Sequence, residues 1–361
     1  MRSRSVVWLF MGLLTLSLSG CWDDHPLDNQ GIVVSLGISP EPKTGDFKWT
    51  FTFPNVTLSP SSLASIKSNE QYYRISVDAP TFAGAVTKAQ QESSRIVYLG
   101  QLHTFIWPNT LSWQQLWPVV SALNSQGPIP KTFWVMAATP SVKTLMTFVS
   151  PQVVAPRSYL ATYFDCIHCQ PFLLGQHEWE FWSHGVTPGI SPYVPLINLR
   201  GHKLAIRQIL VYPPSGQPVL YSTRETTGFG FLSGKIKRAT VSLDWNGNHV
   251  GLTRLHDSHH ITVHKTAKGM MVDESIRVTG FIDQTAPESQ PILSQNKIRE
   301  LAQKRIIYWC LTAIHKANET RTDPFGYGQS ILWQQGQRAA FLPIHAHITV
   351  SVSLKGEGML R

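Results

Sequence analysis

The first 21 residues restrict the fold most, because they separate a leader from the part of the chain that folds. The first five residues include two arginines and no acidic residue, and an apolar run follows from Val6 to Leu18. A basic start, an apolar stretch and small residues after it are typical of a secretory signal peptide. The run is shorter than the roughly 20 residues that a membrane-spanning helix needs. We therefore expect residues 1–20 to be removed.

Cys21 completes a bacterial lipobox, Leu18-Ser19-Gly20-Cys21. Small residues let a protease reach the bond before Cys21, and the thiol forms a thioether to diacylglycerol. Two or three acyl chains, at about 0.8 kcal/mol per buried CH₂, hold a protein at a membrane durably. No second apolar stretch approaches bilayer length, so we expect attachment to a membrane through diacylglyceryl-Cys21, without crossing it. The simpler alternative is an ordinary signal peptide with an incidental cysteine.

Composition indicates folded domains and gives no sign of nucleic-acid binding. The chain has 361 residues, 42% hydrophobic and 15% charged, so it can bury two or three separate cores. The formal net charge is +9, but the basic clusters have no interleaved aromatic residues. We therefore predict no nucleic-acid partner. The basic excess fits anionic lipid head groups, or an ordinary solvated surface.

The pattern of residues 21–150 predicts an N-terminal domain of α/β type, in which strands and helices alternate. Strands are expected at Gly31–Ile38, Phe47–Phe53, Arg95–Trp107 and Thr132–Ala138; helices are expected from an Asp78 cap to Glu92, over Leu111–Asn124, and from Ser141 toward Phe148. Residues 151–203 are rich in Pro, Gly and aromatic residues, and we interpret them as a connecting region.

Residues 204–361 predict a C-terminal β-rich domain with one long helix at 295–317, whose apolar stripe includes Cys310. Strands are expected at Leu204–Tyr212, Val219–Ser222, Lys237–Leu243, His260–His264, Ser275–Asp283 and Ile344–Leu354. The predicted fold class is α+β and multi-domain, with mixed sheets flanked by helices. Its C-terminal half is a mostly antiparallel sheet with one long helix.

Cysteine and histidine patterns suggest several sites, each with a simpler explanation. Cys166 and Cys169 form a C-x-x-C motif, which is found in thiol oxidoreductases but is more often a local disulfide or two unpaired thiols. A zinc site from this pair with His168 and His177 lacks a second close pair.

Further histidines cluster in the C-terminal domain. His256, His259, His260 and His264 lie within nine residues, and His345 and His347 share one face of a strand. We interpret them as surface residues.

Catalytic motifs are missing from the sequence. It contains no G-x-S-x-G, P-loop, dinucleotide-binding glycine motif or H-E-x-x-H. We therefore predict a protein that is not an enzyme, needs no cofactor or metal, and acts by binding partners.

Several motifs, in order, resemble the Ger(x)C family, the lipoprotein C subunits of nutrient germination receptors in endospore-forming bacteria. They are Gly20-Cys21-Trp22-Asp23, Asp28, Ile32-Val33-Val34, Leu36-Gly37-Ile38, Glu225-Thr226, Leu232-Ser233-Gly234-Lys235, and Asp323 with Phe325-Gly326-Tyr327-Gly328. The long helix and the alternating last strand complete the likeness. Ser39 differs from the aspartate that is typical of the family at this position.

The resemblance implies a lipoprotein on the outer face of the inner spore membrane, needed for receptor assembly or signalling in spore germination. Its partners would be a multi-pass A subunit and a transporter-like B subunit. Only Cys21, the lipid attachment site, carries over as a functional residue.

Two other functions remain open from the sequence. A substrate-binding lipoprotein of a transporter would share the anchor but needs two similar lobes around a cleft, whereas the two halves here differ in pattern. An exported thiol enzyme would use Cys166 and Cys169.

Overall fold

A mixed β-sheet organises the N-terminal half, which we define as residues 29–221. The computed structural model describes residues 29–55, 71–148, 159–200, 203–245, 248–285, 294–336 and 341–356. The strands of this half are β1 Gln30–Ile32, β2 Ser35–Pro40, β3 Phe47–Pro54, β4 Tyr72–Ala79, β5 Ile96–Tyr98, β6 Thr104–Pro108, β7 Trp134–Thr139, β8 Gln176–His177, β9 Tyr193–Arg200, β10 Lys203–Val211 and β11 Val219–Tyr221.

Nine of these strands form the large sheet, in the order β11-β10-β9-β7-β6-β2-β3-β4, with β8 paired to β7. Strands β9, β7, β6 and β2 are parallel to one another, and antiparallel strands extend the sheet on both sides. Strands β1 and β5 form a separate parallel pair. The core of the sheet is therefore parallel, and such sheets require cover on both faces.

Helices supply that cover. They are α1 Phe82–Gln91, α2 Trp113–Ser125, α3 Val142–Met146, α4 Tyr159–Asp165 and α5 Glu178–Val186. Helices α1, α2 and α5 bury residues such as Phe82, Leu116 and Phe181 in one hydrophobic core. Helices α3 and α4 contribute Leu145 and Phe164 to a core with different strand residues. The alternation of strands and helices that the sequence predicts therefore yields a layered α/β arrangement.

Two predicted strands are each divided in two. Gly31–Ile38 becomes β1 and β2, and Arg95–Trp107 becomes β5 and β6. Both divisions occur at one place, where the Val33 N–H donates to the Tyr98 carbonyl and the His103 N–H donates to the Val34 carbonyl. At this point both segments pass from the two-stranded sheet into the large sheet. An apolar run in the sequence does not reveal such a change of sheet.

The first helix also begins later than predicted. Asp78 lies at the end of β4, where its carboxylate is 3.3 Å from the Lys48 ammonium, and it does not cap a helix. Thr81 is the cap of α1, and its hydroxyl accepts the Gly84 N–H. The sheet pairing of Asp78 with Lys48 keeps this residue extended.

The expected connecting region, residues 151–203, contributes regular structure: helices α4 and α5 and the interior strand β9. Pro195 made this segment look irregular, because proline cannot donate to a sheet ladder and is rare in interior strands. The expected boundary between residues 203 and 204 lies within β10, which pairs with β9.

The C-terminal half, which we define as residues 223–356, forms a second sheet packed against helices. Its strands are β12 Ala239–Trp245, β13 Asn248–Thr266, β14 Gly269–Thr285 and β15 Ile344–Gly356; its helices are α6 Thr223–Leu232, α7 Gln295–Thr320 and α8 Tyr327–Gln335. Three strands are antiparallel in the order β12-β13-β14, and β15 is parallel to β14.

Helix α7 covers this sheet, burying its apolar stripe with Cys310 against the strands, as the sequence predicted. The predicted fold class is confirmed: mixed sheets flanked by helices, and a mostly antiparallel C-terminal sheet with one long helix. No helix in the described ranges has the length and apolar character needed to span a bilayer.

Helix α6 was not predicted, because Gly228 and Gly230 are poor helix formers. The position of α6 in the fold explains why residue 228 is glycine. A Cβ atom on Gly228 would overlap the Trp309 carbonyl of α7, so the two helices cross in close backbone contact. Phe229 then packs against Tyr193 of β9, with ring centroids 4.7 Å apart. Helix α6 therefore links the long helix to the large sheet.

We expect Gly228→Ala to lower the free energy of unfolding by about 1–3 kcal/mol, because the added methyl group overpacks the crossing of α6 and α7. Denaturant titration of the purified full-length chain measures the change. Gly127→Ala is the control, since a Cβ atom there meets nothing within 4 Å. Equal stability of the two variants would contradict the close crossing.

Candidate functional site

The predicted lipid attachment site, Cys21, lies outside the described residues. Its modification therefore stays a prediction. The remaining candidates from the sequence all have described positions.

Cys166 and Cys169 form a disulfide that closes a single 3₁₀ turn, Ile167–Cys169, after α4. His177 stacks on the Trp134 ring at a centroid distance of 3.8 Å. The described residues contain no group of three or more His, Cys, Asp or Glu side chains that could hold a metal ion. The structure therefore does not assemble the zinc set considered from the sequence.

Most of the clustered histidines lie on the outer face of the C-terminal sheet, away from α7. His256, His260, His264, His345 and His347 are exposed there, and His347 Nδ1 lies 3.4 Å from the Asp273 carboxylate. His259 differs, because it points to the opposite face and packs against Gly234. These histidines are surface residues, as interpreted.

A buried aspartate organises the turn after α7 together with the start of α8, residues 321–328, which we call the junction turn. The Asp323 carboxylate accepts three backbone N–H groups, from Phe325 at 3.2 Å, Gly326 at 3.0 Å and Gly328 at 2.8 Å. Burial raises the pKa of Asp323 to about 6, although these three donors favour its ionised form.

The junction turn also fastens the C-terminal half to the N-terminal half. The Asp323 N–H donates to the Ser191 hydroxyl at 2.8 Å, and the Ser191 N–H donates to the Asp323 carbonyl at 2.8 Å. Tyr221 of β11 and Thr322 share a hydrogen bond of 3.2 Å between their hydroxyls. Gly189 and Gly328 approach so closely that a Cβ atom on Gly189 would overlap the Gly328 backbone. The contact therefore requires glycine.

A cavity of about 350 Å³ opens beside this contact. It is lined by the end of α5, by the segment before β9, and by Tyr212, Met270, Arg321, Asp323 and Leu342. Arg321 caps α7 with φ = 53°, a left-handed conformation that residues other than glycine rarely adopt. Within the described ranges no carboxylate pairs with its exposed guanidinium. The lining therefore combines apolar side chains with the charged side chains of Arg321 and Asp323.

Further carboxyl groups are buried in the core of the C-terminal half. Glu274 is 1% exposed and accepts the Tyr327 hydroxyl at 2.6 Å, and Asp257 accepts the Ile236 N–H at 3.2 Å. Burial raises the pKa of Glu274 to about 8 and that of Asp257 to about 7. In the N-terminal half, burial raises the pKa of Glu178 to about 7.

The roles of these residues were not predicted from the sequence, although signals for two of them exist. Asp323 stands before Pro324 and two close glycines, a composition typical of a turn in which aspartate accepts backbone N–H groups. Glu274 alternates in phase with the apolar Val272, Ile276 and Val278, which predicts an inward-facing side chain. The predicted strand began at Ser275, one residue too late to include it.

Two family models cover most of the chain. Residues 23–199 match the spore germination protein N-terminal domain, and residues 221–357 match the spore germination B3/GerAC-like C-terminal domain. The chain therefore belongs to the GerAC family of spore germination proteins, the family of germinant receptor C subunits, and the resemblance noted in the sequence is confirmed.

The fold also resembles a solved member. The crystal structure of the GerBC protein superposes with a TM-score of 0.53 at 13% identity, covering 88% of this chain and 96% of the other. At this identity the likeness concerns the fold alone. No curated protein matches the chain.

We expect Asp323→Ala to lower the free energy of unfolding by at least about 3 kcal/mol, because three buried N–H groups lose their acceptor at about 1–3 kcal/mol each. Asp323→Asn keeps one oxygen and should lie between Asp323→Ala and the wild type. Thermal unfolding and limited proteolysis measure the effect. Wild-type stability of Asp323→Ala would contradict the assigned role.

The buried Glu274 predicts a dependence of stability on pH. Because its pKa is raised from 4.5 to about 8, its contribution to stability is complete below about pH 4.5 and is lost as the pH rises through about 8. From about pH 5 to about pH 7 the wild type should lose about 2.5 kcal/mol more than Glu274→Gln, at no more than about 1.36 kcal/mol per pH unit. The exposed Glu319→Gln should follow the wild type in denaturant titrations; identical curves for all three chains would refute the assignment.

Proposed function

We propose that this chain is a lipid-anchored subunit of a nutrient germination receptor, required for receptor assembly or signalling. The observation that carries the proposal is the pair of family matches, which together include both halves of the fold. A receptor subunit without catalysis acts through surfaces that bind its neighbours, and here the two halves of the fold carry those surfaces.

The arrangement of ionisable groups supports binding over catalysis. Glu274 and Asp257 have shifted pKa values, but both are closed in the C-terminal core, at 1% and 3% exposure, where no substrate reaches them. The Asp323 carboxylate is occupied by backbone N–H groups. Shifted pKa values mark candidate catalytic groups when the group lies in a cleft, and Glu274 and Asp257 do not line the junction cavity.

The proposed anchor is diacylglyceryl-Cys21, which holds the chain on the outer face of the inner spore membrane. The proposed partners are a multi-pass A subunit and a transporter-like B subunit, as family membership suggests. The acyl chains keep the protein at the membrane surface, so it encounters these partners in two dimensions instead of in free solution.

The architecture disfavours the two alternatives from the sequence. A transporter's substrate-binding lipoprotein needs two similar lobes, whereas here a nine-stranded mixed sheet joins a four-stranded sheet of different order. A thiol oxidoreductase places its C-x-x-C at the start of a helix that follows a strand. Cys166 and Cys169 instead close an isolated turn at the end of α4.

We expect Cys21→Ala to abolish labelling by a fatty-acid probe and to release the chain from the membrane fraction, because no thiol remains for the thioether. In spores that lack the wild-type gene, the variant should not restore the response to a nutrient. Mass spectrometry of the N-terminal peptide provides a second measurement.

Cys310→Ala is the matched control, because this thiol is buried and should leave lipidation intact. Persistent labelling of Cys21→Ala, or full restoration of the nutrient response by an unanchored chain, would overturn the proposal.

A further inference from the structure

The described chain begins at one end of the large sheet. Strand β1 immediately precedes β2, and Gly31 of β1 packs against Phe53 near the end of β3. Ser35, Thr104 and Trp134 are aligned across β2, β6 and β7, so these three parallel strands start at the same level. We call this level the anchor end of the sheet.

The length of chain before β1 limits where a lipid on Cys21 can lie. Eight residue steps separate Cys21 from Asn29, and they span at most about 29 Å when fully extended. An eight-residue strand such as β3 is itself about 26 Å long. A tether that had to reach the opposite end of the sheet would use nearly its whole length along the protein. The anchor end is therefore the part of the fold closest to the bilayer.

Four of the large apolar side chains that the described residues expose lie at this end. Tyr73 pairs with Phe53, and Ile96 pairs with Gln30. Tyr73 is 55% exposed and Ile96 is 48% exposed.

The other two side chains belong to elements next to the start of β7. The Trp179 N–H donates to the Lys131 carbonyl, just before β7. Ile167 follows Asp165, whose carboxylate accepts the Trp134 indole N–H at 2.9 Å. Trp179 is 51% exposed and Ile167 is 57% exposed.

The chemistry of these residues fits a lipid surface. Tyrosine and tryptophan prefer the head-group level of a bilayer, and aliphatic side chains gain by entering its apolar boundary. Arg95 precedes Ile96 and places a cation next to anionic head groups. The disulfide between Cys166 and Cys169 closes the turn that holds Ile167 outward, which gives the C-x-x-C motif a structural role.

We propose that the anchor end lies against the outer surface of the bilayer, with Tyr73, Ile96, Ile167 and Trp179 inserted at head-group level. The inference rests on the proposed lipidation of Cys21 and adds the orientation of the fold. Helix α5 runs from Trp179 at the anchor end to Val186 at the junction cavity. Seven helical steps, about 10 Å, therefore separate Val186 from Trp179.

Spin labels on the full-length lipidated chain test this orientation. Single cysteines replace Ile96 or Trp179, and the matched controls are Val186→Cys and Leu311→Cys, at positions 47% and 46% exposed. The native cysteines do not compete, since Cys166 and Cys169 are bonded, Cys310 is buried and Cys21 carries the lipid. The protein is reconstituted in vesicles of phosphatidylglycerol and phosphatidylcholine.

We expect the labels at positions 96 and 179 to be several-fold more accessible to oxygen than to a water-soluble nickel complex. Labels at positions 186 and 311 should show the reverse. If mass spectrometry shows that Cys21 is lipidated and the labels at positions 96 and 179 nevertheless lie in water, the orientation is overturned. The proposed function then still stands.

Two other outcomes are decisive. Absence of lipid on Cys21 overturns the proposed function together with the orientation. Protection of positions 96 and 179 only when the other receptor subunits are present shows that this end binds protein, and the membrane-facing assignment is then wrong.

Discussion

The carboxylate of Asp323 is the constraint on which the association of the two halves depends. A tight turn between two helices leaves backbone N–H groups without partners, and a buried carboxylate needs hydrogen-bond donors. Here the N–H groups of the turn donate to the Asp323 carboxylate, so both requirements are met. The main chain of Asp323 then bonds to Ser191 in both directions. Because one residue orders the junction turn and fastens it to the segment before β9, the large sheet and the C-terminal half are coupled at this position.

Buried polar groups recur through the fold, and each limits which packing the core accepts. Trp107 donates its indole N–H to Tyr212 at 2.6 Å inside the first core, and Tyr327 donates to Glu274 inside the second. A hydrophobic core alone tolerates many arrangements, whereas an unpaired buried donor costs about 1–3 kcal/mol. These bonds therefore help to select a single arrangement of strands and helices. The carboxyl groups with shifted pKa values take part in this buried hydrogen bonding, where they stabilise structure. Function is therefore left to the surfaces of the molecule.

Those surfaces have different characters at different ends of the molecule. The end nearest the tether exposes tyrosine, tryptophan and isoleucine, whereas the outer face of the C-terminal sheet is polar and rich in histidine. In the proposed arrangement the end nearest the tether contacts lipid. A subunit of this kind can hold a defined orientation, because acyl chains fix its distance from the bilayer and side chains fix its rotation.

Periodicity determined the elements that the sequence could reveal by itself. The strict alternation of Ile344–Leu354 and the helical stripe of residues 295–317 correctly predicted β15 and α7, since each pattern matches one backbone geometry. The motif order likewise indicated the family, and the lipobox predicts the anchor without reference to the fold. Only the tertiary structure decided that two apolar runs divide between sheets, that residues 193–200 form an interior strand, and that glycine-rich α6 is a helix. Those outcomes depend on long-range pairing with β10, Tyr98 and Trp309, and contacts between distant residues leave no periodic trace in the local sequence.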